Sequence, residues 1–207
     1  MSVRFALIVE GHGDASAIPT ILRRLCAELG VYELSKPSVV REKRNRVVKP
    51  GEWERAIEFS SRKLLGQGWS TGDPGGILAV LDADDDDWRE LKSDLEARAR
   101  KCRPDIPCVV AIANREKEAW FLAAIESLRG FRGVPADAVS LPDPEGPRSA
   151  KGALEQVTRL PFSEVDDQPA FAARFDLSLA RKGSPSFDDF CREVEGLLGP
   201  QTAGSVT

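Results

Sequence analysis

Five aspartates stand close together in this sequence, at positions 82 and 84–87, and their spacing suits a hard cation. Asp82, Asp84 and Asp86 follow an Asp-x-Asp-x-Asp pattern. In an extended segment, residues i and i+2 project to the same side, about 6–7 Å apart. Two carboxylates so placed can share one magnesium ion, which binds through one or two protein carboxylates, water and substrate phosphate. Asp85, Asp86 and Asp87 have a second interpretation, because acids also favour the first turn of a helix.

Further acids follow short apolar runs elsewhere in the chain. Glu10 comes after the run 3–9, and Glu116 and Glu118 come after the run 108–113. If these runs are parallel strands of one sheet, their carboxyl ends meet at the same edge as the aspartates. Carboxylates gathered there without a cation would repel one another and raise one another's pKa. The arrangement therefore predicts a metal site.

The elements that must position these acids alternate between strand and helix. Continuous apolar runs predict buried strands of a parallel sheet. Apolar residues at helical spacing predict helices in the segments between them. The predicted strands are 3–9, 77–82 and 108–113, with shorter pieces at 39–40 and 47–48, and the predicted helices are 15–29, 52–66, 86–102 and 118–128. This alternation predicts an α/β fold with a Rossmann-like, mainly parallel sheet flanked by helices.

The composition changes after Gly130, where a proline-rich stretch begins. We expect a core domain over residues 1–129 and an irregular linker with a small helical extension over 130–199, packed on the core. Helices are predicted at 150–158 and 186–198, and a flexible tail at 200–207.

Composition limits the classes of function. With 207 residues, 42 % of them hydrophobic and 30 % charged, the chain is typical of one large globular domain. Its apolar runs are too short for a transmembrane helix, and the acidic Glu10 comes too early for a signal peptide. The single histidine, His12, rules out zinc sites built from several histidines. Four cysteines without a Cys-x-x-Cys pair indicate reduced thiols, and hence a cytoplasmic protein.

The segment 36–49 carries six basic residues against the single acid Glu42. Such a strip can bind phosphates, although a solvated loop is the alternative interpretation. The formal net charge of −4 is compatible with a polyanionic partner, because seven of the 33 acidic residues belong to the predicted site. The basic residues that we expect to bind phosphate or nucleic acid are Arg41, Lys43, Arg44, Arg46 and Lys151.

Glu10-Gly11 after the first strand, combined with the aspartate triplet after a later one, resembles the TOPRIM domain. That domain is shared by topoisomerases, bacterial primases, ribosomal-RNA maturases and the overcoming-lysogenisation-defect nucleases. The segment 118–123 is similar to a small bacterial TOPRIM-like family, a domain of unknown function, often encoded beside an ATPase. The resemblance covers residues 3–125 well and the C-terminal part weakly.

The resemblance implies a magnesium- or manganese-dependent nuclease that uses one or two ions, and the effector of a bacterial antiviral defence system. Two ions would clamp the attacking water and the leaving oxygen. Gly11 and Gly13 would let backbone N–H groups approach a phosphate at the start of the helix. The implied catalytic residues are Glu10, Asp82, Asp84 and Glu118, and the implied metal ligands are these four together with Asp86.

Three other functions are weighed against a nuclease. A topoisomerase would need a tyrosine nucleophile and a strand-passage domain, and Tyr32 is the one tyrosine here. A haloacid-dehalogenase-like phosphatase places its Asp-x-Asp after the first strand, not after a later one. A non-catalytic subunit of an ATPase complex would need none of the acids. The expected partners are DNA or RNA, an ATPase and a second copy of the chain, with no membrane.

Overall fold

The computed structural model describes residues 2–199, and within them a four-stranded, all-parallel sheet lies at the centre. The strand order is β2-β1-β3-β4. The strands are β1 (Arg4–Val9), β2 (Ser38–Arg41), β3 (Gly75–Asp82) and β4 (Cys108–Ala113). Parallel neighbours require crossover connections, and helices supply them. The predicted α/β fold with a parallel sheet flanked by helices is therefore confirmed.

Helices follow the strands and continue through the C-terminal part. They are α1 (Asp14–Glu28), α2 (Arg44–Val47), α3 (Glu52–Gly66), α4 (Trp88–Cys102), α5 (Glu118–Ala123), α6 (Ala150–Thr158), α7 (Asp167–Ala172), α8 (Leu177–Gly183) and α9 (Pro185–Leu198). A 3₁₀ turn at Ile125–Leu128 follows α5. Among the described residues, no helix is both long and apolar enough to cross a membrane.

Side chains of the sheet alternate between two apolar layers. On β1, Phe5 and Leu7 are buried in a core shared with α1, α5 and the C-terminal helices. Ala6 and Ile8 face the opposite core, which contains side chains of α3 and α4. This alternation follows from the two-residue period of a strand. Both faces of the sheet are covered, which explains why the strands are nearly continuous apolar runs.

The structure differs from the sequence prediction around residues 44–48. Val47 and Val48 were predicted as a strand piece, but Val47 belongs to helix α2 and is buried. Its backbone N–H donates to the carbonyl of Lys43, which closes a single helical turn. A pair of β-branched residues is typical of a strand. Here the buried Val47 side chain anchors a helical turn instead. Helices α7 and α8 were not predicted, because each is short.

Residues 130–199 share the core of the sheet. The Phe121 ring of α5 packs edge-on against Phe171 and Phe175, with ring centroids 5.7 and 5.2 Å apart. Trp120 contacts Phe187 of α9 at 5.1 Å. Such aromatic contacts add about 0.5–1.5 kcal/mol each beyond the area that they bury. The C-terminal helices are thus packed on the same layer as α1 and α5. The predicted tail at 200–207 lies outside the described residues.

Candidate functional site

A cavity of about 430 Å³ opens at the carboxyl ends of β1, β3 and β4. This is the edge at which an open parallel sheet places its binding sites. Its carboxylates are Glu10, Asp14, Asp82, Asp84, Glu116, Glu118 and Glu164, and its cationic side chains are Lys43, Arg44, Lys117 and Lys151. The four predicted catalytic acids, Glu10, Asp82, Asp84 and Glu118, all line this cavity.

Glu10 is held directly against the end of β3. Its Oε1 accepts a hydrogen bond of 2.5 Å from the backbone N–H of Asp82. The parallel register pairs Val9 with Val80, so Glu10 leaves β1 beside the last residues of β3. The strand pairing itself therefore brings the two acids together, as the sequence predicted.

Lys117 occupies the space among the acids. Its Nζ lies 2.8 Å from Asp82 Oδ1, 3.5 Å from Asp14 Oδ2 and 3.8 Å from Glu10 Oε1. Only 3 % of the residue is exposed. The Nζ has no acceptor in hydrogen-bonding geometry within residues 2–199, although it is within ion-pair distance of three carboxylates. Its interaction with the acids is therefore mainly electrostatic.

Burial shifts the ionisation of the whole group. It raises the pKa of Asp82 well above its usual range, and it raises the pKa of Glu10 against the opposing effect of Lys117. Burial also raises the pKa of Glu118 to about 7. Burial would lower the pKa of Lys117, but the carboxylates of Asp82 and Asp14 outweigh it and raise that pKa. The one ammonium of Lys117 therefore does not offset the effect of burial on Glu10, Asp82 and Glu118.

Asp84 and Asp86 face Arg44 instead of the other acids. Arg44 Nη1 lies 3.2 Å from Asp84 Oδ2, and Nη2 donates to Asp86. Asp84 lines the cavity, whereas Asp86 lies outside its lining. The predicted role of Asp86 as a metal ligand therefore has no support in this arrangement, because its carboxylate is paired with an arginine.

Of the five basic residues that we expected to bind phosphate, three line the cavity and two do not. Lys43 and Lys151 line the cavity, and Lys151 Nζ lies 2.8 Å from Glu164 Oε1. Arg41 and Arg46 are exposed outside its lining, and Arg46 Nε donates to Glu52 at 2.9 Å. Arg44 lines the cavity, but its guanidinium donates to the backbone carbonyl oxygens of Asp82 and Ala83.

The two glycines of the first turn have different surroundings, and Gly11 does not present the free N–H group that the resemblance implied. The Gly11 N–H donates to Asp14 Oδ2 at 3.0 Å. Gly13 lies against the C-terminal part, where an added Cβ would come within 2.0 Å of the Glu164 carbonyl oxygen. Gly13 is therefore required for close packing, and the turn N–H of Gly11 is already satisfied.

Asp14 and Gln168 contact each other at the site, and neither has a counterpart in the sequence prediction. Asp14 is 4 % exposed, and its Oδ1 accepts a hydrogen bond of 2.7 Å from Gln168 Nε2 of α7. Asp14 is the first residue of α1. Its position four residues after Glu10 is the one signal that could have placed it at the site. Gln168 is distant in sequence, and only the packing of α7 on α1 brings it there.

Within residues 2–199, no group of three or more His, Cys, Asp or Glu side chains is arranged to hold a metal ion. Arg44 engages Asp84, and Lys117 stands among Glu10, Asp14 and Asp82. The donor chemistry nevertheless fits magnesium, which needs only one or two protein carboxylates beside water and phosphate. Glu10 and Asp82 supply oxygen ligands of this kind, and both carboxylates lie within 4 Å of the same ammonium.

The fold and the site define an α/β protein with a parallel sheet and an acidic cavity at its carboxyl edge. A family model described as "Domain of unknown function (DUF4276)" matches residues 9–195, and the chain belongs to this family. The match includes every cavity residue named above. Searches of the curated proteins and of the solved structures each found no match.

Proposed function

We propose that this protein is a metal-dependent phosphodiesterase that acts on nucleic acid, as its resemblance to TOPRIM nucleases implies. One observation carries the proposal: a group of largely buried carboxylates lines the cavity together with lysines. Carboxylates that hold a divalent cation beside cationic side chains can catalyse phosphodiester hydrolysis. The carboxylates alone would not serve, because bare acids repel phosphate.

Each side chain has a defined task in this proposal. Glu10 and Asp82 would hold magnesium or manganese, with Asp84 at the rim. The bound ion would stabilise negative charge on the reacting phosphate and activate a water molecule. The positive charge of Lys117 favours the ionised form of the two carboxylates and so opposes the effect of burial, which raises the pKa of each. Lys43 and Lys151 attract and orient the phosphate backbone.

The test is cleavage of single-stranded and double-stranded DNA and RNA by the full chain with Mg²⁺ or Mn²⁺. We expect cleavage that EDTA abolishes, and a loss of at least about 10²-fold in Glu10→Gln and Asp82→Asn, since each variant removes a ligand charge. Glu90→Gln is the matched control, because Glu90 is an exposed acid in the first turn of α4. Its rate should equal that of the wild type.

Two results would contradict the proposal. Cleavage that survives in Asp82→Asn would assign the activity to another site or to a contaminant. Inactivity on all four substrates, with no binding of Mn²⁺, would favour the alternative of a non-catalytic subunit. The ATPase partner and the defence role rest on the resemblance. If an ATPase gene stands beside this one, addition of its product to the cleavage assay tests both.

The free thiols of the four cysteines support the proposed cytoplasmic location.

A further inference from the structure

Arg44 makes an unusual number of contacts with one short segment. It begins α2, and its guanidinium reaches the end of β3. Nε donates to the carbonyl oxygen of Asp82 and Nη2 to that of Ala83, both at 2.9 Å. Nη2 also donates to Asp86, and Nη1 lies 3.2 Å from Asp84 Oδ2. Every nitrogen of the guanidinium is thus directed at residues 82–86.

These contacts leave Arg44 poorly placed to bind substrate. Its side chain is 14 % exposed, and a guanidinium is a rigid planar fork whose donors point in fixed directions. Bidentate binding of a phosphate would require the release of the carbonyl or carboxylate partners. The contacts also stabilise a strained backbone, because Asp84 has a φ of 52°. A non-glycine residue in that conformation costs about 1 kcal/mol or more.

We propose that Arg44 is a positioning residue, which with Asp86 clamps the end of β3 so that the Asp82 carboxylate faces the cavity. Asp86 then serves as the anchor of Arg44 and not as a metal ligand. The inference deepens the proposed function and rests on it, because it takes Asp82 to be a ligand of the cation. It differs from the sequence prediction, which placed Arg44 on the substrate and Asp86 on the metal.

A double-mutant cycle on Mn²⁺ affinity separates an anchor from a ligand. The variants are Arg44→Lys, Asp86→Asn and the double variant, each as the full chain. Arg44→Lys keeps the positive charge but loses the planar fork. The dissociation constant for Mn²⁺ is measured by electron paramagnetic resonance of the free ion, at a temperature where circular dichroism shows every variant folded.

We expect Asp86→Asn to weaken Mn²⁺ binding about fivefold in the wild-type background and less than about twofold in the Arg44→Lys background, as coupled neighbours behave. An equal loss in both backgrounds would show that Asp86 acts directly on the ion and would overturn the inference. No loss in either background would overturn it as well, because the clamp would then have no effect on Asp82.

Two controls define the scale. Asp82→Asn should weaken Mn²⁺ binding at least about tenfold, as loss of a direct ligand does. Arg55→Gln removes an arginine that is paired with Glu52 on the surface of α3, and it should leave Mn²⁺ binding unchanged.

Failure of the clamp is distinguishable from failure of the proposed function. A wild-type chain that binds no Mn²⁺ would end the proposed function. Unfolding in urea reads the clamp separately: Arg44→Lys and Asp86→Asn should each raise the unfolding equilibrium constant about fivefold, and the double variant should raise it little further. Independent effects on unfolding would refute the clamp itself, whatever the metal result.

Discussion

Lys117 approaches one oxygen of Asp82 through both its backbone and its side chain. The backbone N–H donates to Asp82 Oδ1 at 2.9 Å, and Nζ lies 2.8 Å from the same atom. The contact joins the end of β3 to the residue before α5 and gives the buried carboxylates a cation of their own. The cavity is therefore assembled, with partial charge balance, from this chain's own residues.

Removal of this cation should destabilise the fold. In Lys117→Met, the Asp82 and Glu10 side chains, each 20 % exposed, lose the buried ammonium beside them, and breaking a buried ion pair from one side costs up to about 3–5 kcal/mol. Urea unfolding in EDTA at neutral pH measures the loss. Lys101→Met is the control, because Lys101 is an exposed lysine near the end of α4, and its stability should change by less than about 0.5 kcal/mol. Equal stability of the two variants would contradict an electrostatic role for Lys117.

Lys43 should contribute to nucleic-acid binding. It is exposed and lines the cavity, so Lys43→Ala should weaken binding of a labelled single strand several-fold. Loss of one phosphate contact lowers the slope of log affinity against log salt by about 0.7. Fluorescence anisotropy over a range of salt concentrations measures both effects. Lys101→Ala should leave both unchanged, and an identical slope in Lys43→Ala would place the strand elsewhere.

Gly13 should tolerate no larger residue. An added Cβ would meet the Glu164 carbonyl oxygen at 2.0 Å, and overpacking of this kind costs about 1–3 kcal/mol. We expect Gly13→Ala to lower the melting temperature and to separate α1 from the segment before α7. Gly196→Ala in α9 is the opposite case, because a Cβ there would meet no heavy atom within 4 Å among the described residues. It should stabilise the helix by about 0.5–1 kcal/mol. A neutral Gly13→Ala would disprove the close packing.

Glu54 should make part of the stability depend on pH. Its hydrogen bond with Arg98 lowers the pKa of Glu54 to about 2, from an ordinary value of 4.5. A lowered pKa in the folded state stabilises the fold above pH 4.5, and the contribution disappears as the pH falls towards 2. The side chain is 34 % exposed, so solvent screening keeps the contribution below about 1 kcal/mol.

Urea unfolding of Glu54→Gln against the wild type, from neutral pH down to about pH 3, measures this contribution. The gap between the two proteins should narrow through the acid range. A constant gap for Glu54→Gln would mean that the ion pair with Arg98 does not form in solution.

The sequence by itself determined the sheet and the edge at which the acids gather. Apolar runs such as 3–9 and 108–113 are continuous because both faces of a parallel strand are buried, and that pattern is readable without coordinates. Since parallel strands end at one edge, Glu10, Asp82 and Glu118 could be placed in one cavity from their positions alone. These inferences depend on local periodicity and on a rule of topology.

Only the tertiary structure decided what each acid contacts. Arg44 faces Asp86, Lys117 stands between Asp82 and Asp14, and Gln168 closes on Asp14 from α7. These partners are 154 residues apart in the last case, and no local pattern encodes such a distance. A side chain's partner follows from how helices pack over a sheet, because packing sets which donor reaches which carboxylate. Two aspartates of the same sequence motif thus have different surroundings: Asp82 lines the cavity, whereas Asp86 is paired with Arg44.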